Sequence, residues 1–277
     1  MLSERYPMLY GPSVAAHRGA RRLHWMFNRT APCSNDRTFE AGFRVASHRS
    51  ILLRQLGDVD MDLQRNKVTN LRLALATIDA SVLRPGQELS FWRCVGEPNA
   101  RRGYLPGLVL VHGRMASSAG GGLCQLSNLL HWLVLHSPLR VVEHHHHGYD
   151  PFPDSGRQVP FGSGATVFYN YVDLKFDNPT SANYKIHLWL TDTELRGEIW
   201  ADRLPPVSYH IREEGHRFFM RNGQVYRENM LWRMAHDRAT GNQVARELIS
   251  HNVFPVLYQP DSSVFVEPES IAGLTAT

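Results

Sequence analysis

Apolar side chains at helical spacing predict one helix in the first third of the chain and a more apolar one near its middle. The first has apolar residues three or four positions apart, at Val68, Leu71, Leu75 and Ile78. The second begins after a run of glycines and ends at Pro138, and its nearly continuous apolar character is typical of a buried helix. A third helix, amphipathic and rich in arginine, is predicted at about 14–29.

Short apolar or alternating segments between turn residues predict strands. Before the glycine run they lie at 87–92 and 108–112, and after it at 140–143. Two further pairs are expected to form hairpins, with strands at 165–169, 173–177, 184–190 and 196–200. For residues 38–60 the pattern does not decide between strand and helix.

The last third of the chain has the pattern of an antiparallel meander. Asn222-Gly223, a favoured pair for a two-residue hairpin turn, separates the strand segments 217–221 and 224–227. Further strand segments follow at 230–235 and 243–249, again separated by turn residues.

These elements together predict an α+β fold with an antiparallel or mixed sheet. Helices and strands do not alternate regularly, which argues against a doubly wound parallel sheet. We expect three regions: an N-terminal helical or irregular extension at 1–60, a core domain at 61–205 and a C-terminal β-hairpin region at 206–277.

Composition then excludes several classes of protein. Of the 277 residues, 43% are hydrophobic and 20% charged, as in globular proteins. The 30 basic residues include three lysines, which leaves 27 arginines, but the net charge is only +4 and the arginines do not cluster. We therefore expect no nucleic-acid partner. The three cysteines, Cys33, Cys94 and Cys124, are too few for a disulfide framework in a chain of this length, and the sequence has no Cys-x-x-Cys pair for a thiolate zinc site.

The sequence predicts no membrane-spanning segment. It has no run of 18 apolar residues, and its first residues lack the charged and apolar regions of a signal peptide. A cytoplasmic location is therefore expected. The arginine-rich helix at 14–29 is interpreted as an ordinary packed helix, with peripheral contact to an anionic membrane surface as the alternative.

The glycine run and the residues after it carry the candidate chemistry. Gly120, Gly121 and Gly122 allow the backbone to approach another group closely. Cys124 follows in the first turn of the predicted helix, where the partial positive charge of the helix N-terminus favours a thiolate. The adjacent Gln125 could donate a hydrogen bond to a developing oxyanion.

A cysteine nucleophile needs a base, and the strand after this helix ends in the run His144–His147. Strand alternation places His145 and His147 on one side. Asp173 or Glu143 could orient the imidazole. The order of cysteine on a helix, histidine on a strand and acid on a strand is similar to papain-like and transglutaminase-like thiol enzymes. The predicted catalytic residues are Cys124, Gln125, His145, His147 and Asp173.

Simpler interpretations of the same residues stay open. Cys124 could be a small apolar residue that packs at the start of a buried helix, and the glycines a tight connection. The run His144–His147 could be a solvated strand end, or a metal site completed by His112, His131 or His136. We predict no metal ion and no cofactor.

Five stretches, in this order along the chain, resemble the VanW family of vancomycin B-type resistance accessory proteins. They lie at 66–74, 85–92, 120–128, 142–147 and 171–178. The most specific is 120–128, Gly-Gly-Gly-Leu-Cys-Gln-Leu-Ser-Asn, and the likeness covers about residues 60–205.

The chain departs from the family pattern at two positions. Where the family usually has Glu-Arg-His-x-His, Glu143, His145 and His147 match but His144 replaces the arginine. The family also tends to carry an aspartate before Ala-Thr-Val, where this chain has Gly164. If that aspartate completes a catalytic triad in relatives, Asp173 would have to substitute here.

The resemblance implies a role in glycopeptide resistance or cell-envelope metabolism, but it does not specify a reaction. We expect a small-molecule or peptide ligand related to cell-wall precursors. One hypothesis is an enzyme that acts on an acyl or peptide substrate through Cys124. The second is a non-enzymatic binding module whose glycine run and helix N-terminus hold a carboxylate or phosphate, and the third is a histidine-rich metal-binding protein. The expected ligand-binding residues are Gly120, Gly121, Gly122, Ser127, Asn128 and Glu143.

Overall fold

The computed structural model shows an α+β protein, as predicted. It describes residues 10–27, 33, 35–53, 61–111, 114–146, 148–151, 153–154 and 158–260. Two histidines considered above, His112 and His147, lie outside these residues.

The described residues form four α-helices: α1 (Tyr10–Phe27), α2 (Met61–Ile78), α3 (Phe91–Val95) and α4 (Cys124–Leu135). The predicted positions of α1, α2 and α4 are confirmed. Leu71, Leu75 and Ile78 of α2 are buried, as their spacing requires. None of these helices is long and apolar enough to cross a membrane.

Twelve strands in the described residues form four antiparallel sheets. The strands are β1 (Phe43–Ile51), β2 (Val82–Leu83), β3 (Glu88–Ser90), β4 (Pro106–Val111), β5 (Arg114–Ala119), β6 (Arg140–Glu143), β7 (Lys175–Asp177), β8 (Tyr184–Leu190), β9 (Glu194–Ala201), β10 (Val207–Arg221), β11 (Gln224–Asp237) and β12 (Gln243–Pro255). The sheet orders are β1-β9-β8-β2, β3-β7-β6, β4-β5 and β10-β11-β12. The last of these is the predicted meander. At its first turn Asn222 and Gly223 have φ of 51° and 75°, as a type I′ turn requires.

Helix α4 lies at the centre of the core and packs against the sheet that contains β1, β8 and β9. Its leucines at 126, 129, 130 and 133 are buried. A Cβ atom at Gly197 of β9 would lie 2.9 Å from Leu133 and 3.0 Å from Leu129, so the absence of a side chain there allows the helix to approach the sheet closely. This packing fixes the position of the first turn of α4, which carries Cys124.

Three predicted details change in the structure. Residues 165–169 do not form a strand, and the only pairing there is an isolated bridge between Phe168 and Val172. The predicted strand 87–92 ends at Ser90, because the Ser90 hydroxyl accepts a hydrogen bond from the Arg93 backbone N–H and begins α3. The undecided segment at 38–60 contains β1, which pairs with β9.

The N-terminal part of the chain is attached to the core at two places. Arg18 and Arg21 of α1 donate hydrogen bonds to the backbone carbonyls of Tyr169 and Asn170, at 2.7 and 3.2 Å. After the helix, Cys33 forms a disulfide with Cys94 of α3 across 61 residues of sequence. A single disulfide is compatible with the predicted lack of a disulfide framework, but no sequence pattern indicated this pair. Because β1 belongs to the core sheet, the predicted extension 1–60 also contributes to the core, and the domain boundaries stay a prediction.

Candidate functional site

The glycine run precedes α4, and its backbone packs closely against the backbone of β4. A Cβ atom at Gly121 would overlap the backbone carbonyl of Gly107 in β4. Gly120 and Gly122 have φ of 76° and 90°, which residues with side chains rarely adopt. The buried side chain of Asn70 donates a hydrogen bond to the Gly121 carbonyl at 3.0 Å. The three glycines thus have a packing role, and of them Gly122 also lines a cavity beside α4.

Cys124 is the first residue of α4 and is a half-buried free thiol. Its Sγ donates a weak hydrogen bond to the Val167 carbonyl at 3.8 Å. We expected the helix N-terminus to lower the pKa of this thiol. The structure gives the opposite direction, since burial raises the pKa of Cys124 more than its hydrogen bonds lower it.

The predicted residues just after Cys124 attach α4 to its neighbours. Gln125 Nε2 donates hydrogen bonds to Ser50 Oγ at 2.7 Å and to the Ile51 carbonyl at 2.9 Å. Ser127 Oγ donates to the Ala165 carbonyl at 2.6 Å, and Asn128 Oδ1 accepts a hydrogen bond from the Ala165 N–H at 2.6 Å. Gln125 and Asn128 also line the cavity, so they combine a structural role with access to a ligand.

The cavity has a volume of about 410 Å³ and lies between α2, β1, α4 and the loop at 159–166. Its polar lining comes from α2, the start of α4, β1 and the segments at 149–150 and 163–166, and includes the acidic residue Asp150. Its opposite wall is mostly aromatic and proline side chains. Residues that define it include Gln64, Lys67, Cys124, Trp132, His146 and Phe161. A volume of this size matches the ligand pockets of small-molecule binding proteins.

Gln64, like Lys67, is a polar residue of the cavity that was not among the predicted site residues. Its side chain lines the cavity and is only 2% exposed. Its Oε1 has no hydrogen-bond partner among the described residues. A signal was present, because Gln64 precedes Val68 by four positions and Leu71 by seven, on the apolar face of α2.

The histidines near the cavity are held neutral by burial. The rings of His131 and His144 stack with centroids 4.1 Å apart, and each ring bonds to a backbone carbonyl, of Ser163 and Gly164 respectively. Burial lowers the pKa of His131 to about 3 and also lowers that of His144. His48, on the cavity wall, has its pKa lowered by burial to about 4. Of these three histidines only His48 lines the cavity, so the wall carries one imidazole that burial keeps uncharged at neutral pH.

The other predicted catalytic residues belong to a separate cluster. His145 Nε2 lies 3.5 Å from Glu143 Oε1, and Lys175 Nζ lies 3.0 Å from Glu143 Oε2. Asp173 is fully buried and accepts hydrogen bonds from Ser90 Oγ at 2.6 Å and from a backbone N–H of α3. Burial raises the pKa of Asp173 to about 6 despite these bonds. His145, Asp173 and Glu143 are not among the residues that line the cavity of Cys124.

Glu143, predicted to bind a ligand, instead pairs with basic side chains of the protein itself. Burial acts to raise the pKa of Glu143, but hydrogen bonds from His145, Arg21 and Lys175 outweigh it and hold that pKa well below its usual range. The structure therefore places an internal ion-pair network where we expected part of a ligand site.

The histidine run does not form a metal site in the described part of the chain. No group of three or more His, Cys, Asp or Glu side chains is placed there to hold a metal ion. His144 and His146 instead make ring contacts, the latter with Phe254 at 4.7 Å. His147, outside the described residues, stays a prediction.

Gly164, the position of the missing family aspartate, lies on the cavity wall. A Cβ atom at this position would lie 3.2 Å from Asn128 Oδ1. A carboxylate there would therefore enter the cavity lined by Cys124, not the cluster that contains Asp173. In this geometry Asp173 does not take the place of that residue.

The comparisons with known proteins agree with the resemblance. A sequence model described as VanW like protein matches residues 66–200. The vancomycin B-type resistance protein VanW of Enterococcus faecalis (strain ATCC 700802 / V583) is 33% identical over 208 residues, 75% of this chain and 76% of that protein. The uncharacterized protein YoaR of Bacillus subtilis (strain 168) is 31% identical over 114 residues, 41% of this chain and 36% of that protein. No solved structure gives a significant match. The chain belongs to the VanW family.

Proposed function

We propose that this chain binds a small molecule or peptide related to cell-wall precursors, in glycopeptide resistance or cell-envelope metabolism. The context comes from its relative, which is named a vancomycin B-type resistance protein. The site that we propose is the cavity beside the first turn of α4, and the ligand group held there is a carboxylate or a phosphate.

The observation that carries this proposal is the combination of groups around the cavity. The positive end of the α4 dipole favours an anion at the start of the helix, although the backbone N–H groups of Gln125, Leu126 and Ser127 already donate to the carbonyls of Gly122 and Leu123. Lys67 adds a positively charged side chain whose stem lies against Gly122. Trp132, Phe161 and Phe254 supply an apolar wall for the rest of the ligand.

Thiol chemistry in the same cavity is a second candidate function. It is favoured by one observation, that Cys124 and His146 line the same cavity. In this version His146, not His145, would accept the thiol proton while the sulfur attacks an acyl carbon. The bond from that carbon to the leaving amine or alkoxide then breaks, and His146 returns the proton to the leaving group. The raised pKa of Cys124 opposes it, because the thiolate is the reactive form.

Two charge-matched variants of α2 test the binding site. Lys67→Gln and Arg65→Gln each remove one positive charge, but only Lys67 lines the cavity, while Arg65 is exposed. We expect Lys67→Gln to weaken the binding of inorganic phosphate or N-acetyldiglycine several-fold in calorimetric titrations, and Arg65→Gln to leave it unchanged. Equal effects of the two variants would contradict the proposed location.

Cys124→Ser separates the two candidate functions. Binding with unchanged affinity in this variant, and no acyl adduct on wild-type Cys124 after incubation with 4-nitrophenyl acetate, supports a binding module. An adduct detected by mass spectrometry that requires His146 would instead favour the thiol reaction.

A further inference from the structure

Gln64, a residue of the cavity wall, carries a buried hydrogen-bond acceptor that has no partner among the described residues. Its side chain is 98% shielded from solvent, and the acceptor is Oε1. Leaving a buried polar atom without a partner costs roughly 1–3 kcal/mol. Most buried side-chain polar atoms in folded proteins have a partner, so such an exception needs an explanation.

The fold does not require a polar side chain at position 64 of α2, so this cost could be avoided. Gln64 continues the apolar face formed by Val68 and Leu71, where a leucine would satisfy the helical pattern. A leucine of similar volume would bury no polar atom. The glutamine is therefore unfavourable for folding alone, and a ligand group that enters the cavity would offset this cost.

The same cavity holds the groups proposed to bind an anion. Lys67 is one residue further along α2, and its stem lies against Gly122, at the start of α4. A ligand whose anionic group lies at the start of α4 therefore has its neighbouring atoms within the same enclosed space as Gln64. In a peptide, the terminal carboxylate and the nearest amide N–H belong to one residue.

We propose that Gln64 is a specificity residue that accepts a hydrogen bond from an amide N–H of the ligand. This inference rests on the proposed function and narrows its ligand to an N-acylated amino acid or short peptide with a free carboxylate. The ligand amide, removed from water by the aromatic wall, gains a partner, and the unpartnered Oε1 is satisfied. Both desolvation costs are then offset in the complex.

The opposite orientation of the amide makes a different prediction. If the Gln64 side-chain amide were turned by half a rotation, Nε2 would face the ligand and would bind a carbonyl oxygen. Ester analogues distinguish these cases, because an ester keeps the carbonyl but lacks the N–H.

The test compares N-acetyldiglycine with its two ester analogues, in which oxygen replaces one or the other amide N–H. Affinities are measured by calorimetry for the wild type, Gln64→Leu and Gln64→Met. We expect one ester to bind the wild type about tenfold more weakly than the amide, and this ratio to fall to about one in both variants. Gln87, which is half-buried and does not line the cavity, provides the control, since Gln87→Leu should leave the ratio unchanged.

Each outcome has one meaning. If all three compounds bind the wild type equally, the cavity binds carboxylates but Gln64 does not recognise an N–H, and the inference is wrong. If none of them binds, the proposed function fails together with the inference. The thermal stability of Gln64→Leu gives an independent readout: we expect it to equal or exceed that of the wild type, whereas a glutamine with a purely structural role would lower it when replaced.

Discussion

The guanidinium of Arg21, on α1, holds the carboxylate of Glu143, at the end of β6, in a two-pronged ion pair. Nη1 and Nη2 of Arg21 lie 2.8 and 2.7 Å from the two carboxylate oxygens, across 122 residues of sequence. Arg21 Nη1 also lies 3.3 Å from Asp173 Oδ2. Only 13% of the arginine side chain is exposed, so this contact is far stronger than a solvent-exposed ion pair.

Removing this arginine should detach α1 and destabilise the core. Arg21→Ala leaves two acidic side chains, Glu143 and Asp173, with less compensating charge, and we expect a loss of about 2–4 kcal/mol in the free energy of unfolding. Arg21→Lys should recover only part of the lost stability, because a lysine keeps the positive charge but cannot form the paired bonds. Urea denaturation measures the loss, and limited proteolysis detects release of α1.

The neighbouring Arg22 is the matched control for this experiment. It is exposed on the same helix, so Arg22→Ala should change the unfolding free energy by less than about 0.5 kcal/mol. Similar losses in Arg21→Ala and Arg22→Ala would show that the ion pair does not secure α1.

The disulfide between Cys33 and Cys94 should add stability that a reductant removes. For a separation of 61 residues, the loop-closure entropy of the unfolded chain corresponds to about 4 kcal/mol. We expect a reductant to lower the denaturation midpoint of the wild type and to have no effect on a Cys33→Ser/Cys94→Ser double variant. Detection of three free thiols in the untreated protein would contradict the pairing.

The disulfide also bears on where the protein works. Disulfides persist mainly in oxidising compartments. The predicted cytoplasmic location stays a prediction, and this pair weighs against it.

Gly121 should tolerate no side chain, because its backbone packs against that of Gly107. Gly121→Ala would force two backbone segments apart at the entrance to α4, with an expected loss of about 3 kcal/mol or more. Gly42→Ala is the control, since a Cβ atom there meets nothing within 4 Å. Comparable unfolding free energies for the two variants in urea would argue against the close contact.

Acid should weaken the fold through His131. Burial, with help from His144, lowers the pKa of His131 from its ordinary 6.5 to about 3. The unfolded chain therefore takes up a proton before the folded protein does. The stabilisation is fully present above about pH 6.5 and is lost as the pH falls towards 3, by at most about 1.4 kcal/mol per pH unit.

A comparison with His131→Leu isolates this effect. Asp173 acts in the opposite sense, because its pKa is raised to about 6 and its contribution is lost as the pH rises through that value. Asp173 is present in both proteins, so its effect cancels in the comparison. The free energy of unfolding of the wild type minus that of His131→Leu should decrease from pH 7 to pH 4. A constant difference would contradict a buried neutral imidazole.

The sequence predicted those parts of the fold that depend on neighbouring residues. The apolar spacing at Leu71, Leu75 and Ile78 gave α2, and Asn222-Gly223 gave the first turn of the meander, because helix faces and tight turns are set within a few residues. The strand predicted at 165–169 does not form, because a strand also needs a partner segment, which local composition does not show. Its β-like composition found no partner strand, since α4 holds its backbone through Ser127 and Asn128.

The candidate site was predicted only as far as its local motif. The structure places the glycine run and Cys124 at the start of a buried helix, but the base was predicted from strand alternation and the acid from its place on a neighbouring strand. Alternation shows which side of a strand a residue faces, not which element lies opposite. The structure puts His146 in the cavity and leaves His145 and Asp173 in the ion-pair network of Glu143.

The sequence by itself determined the family, the α+β class, the central helices and the terminal meander, because these follow from motifs and short-range periodicity. Only the tertiary structure decided that Arg21 meets Glu143, that Cys33 meets Cys94 and that Gln64 faces the cavity. The tertiary structure also raises the pKa of Cys124, which the sequence had led us to expect to be lowered. Desolvation and long-range contacts depend on which distant segments pack together, and no local pattern contains that information.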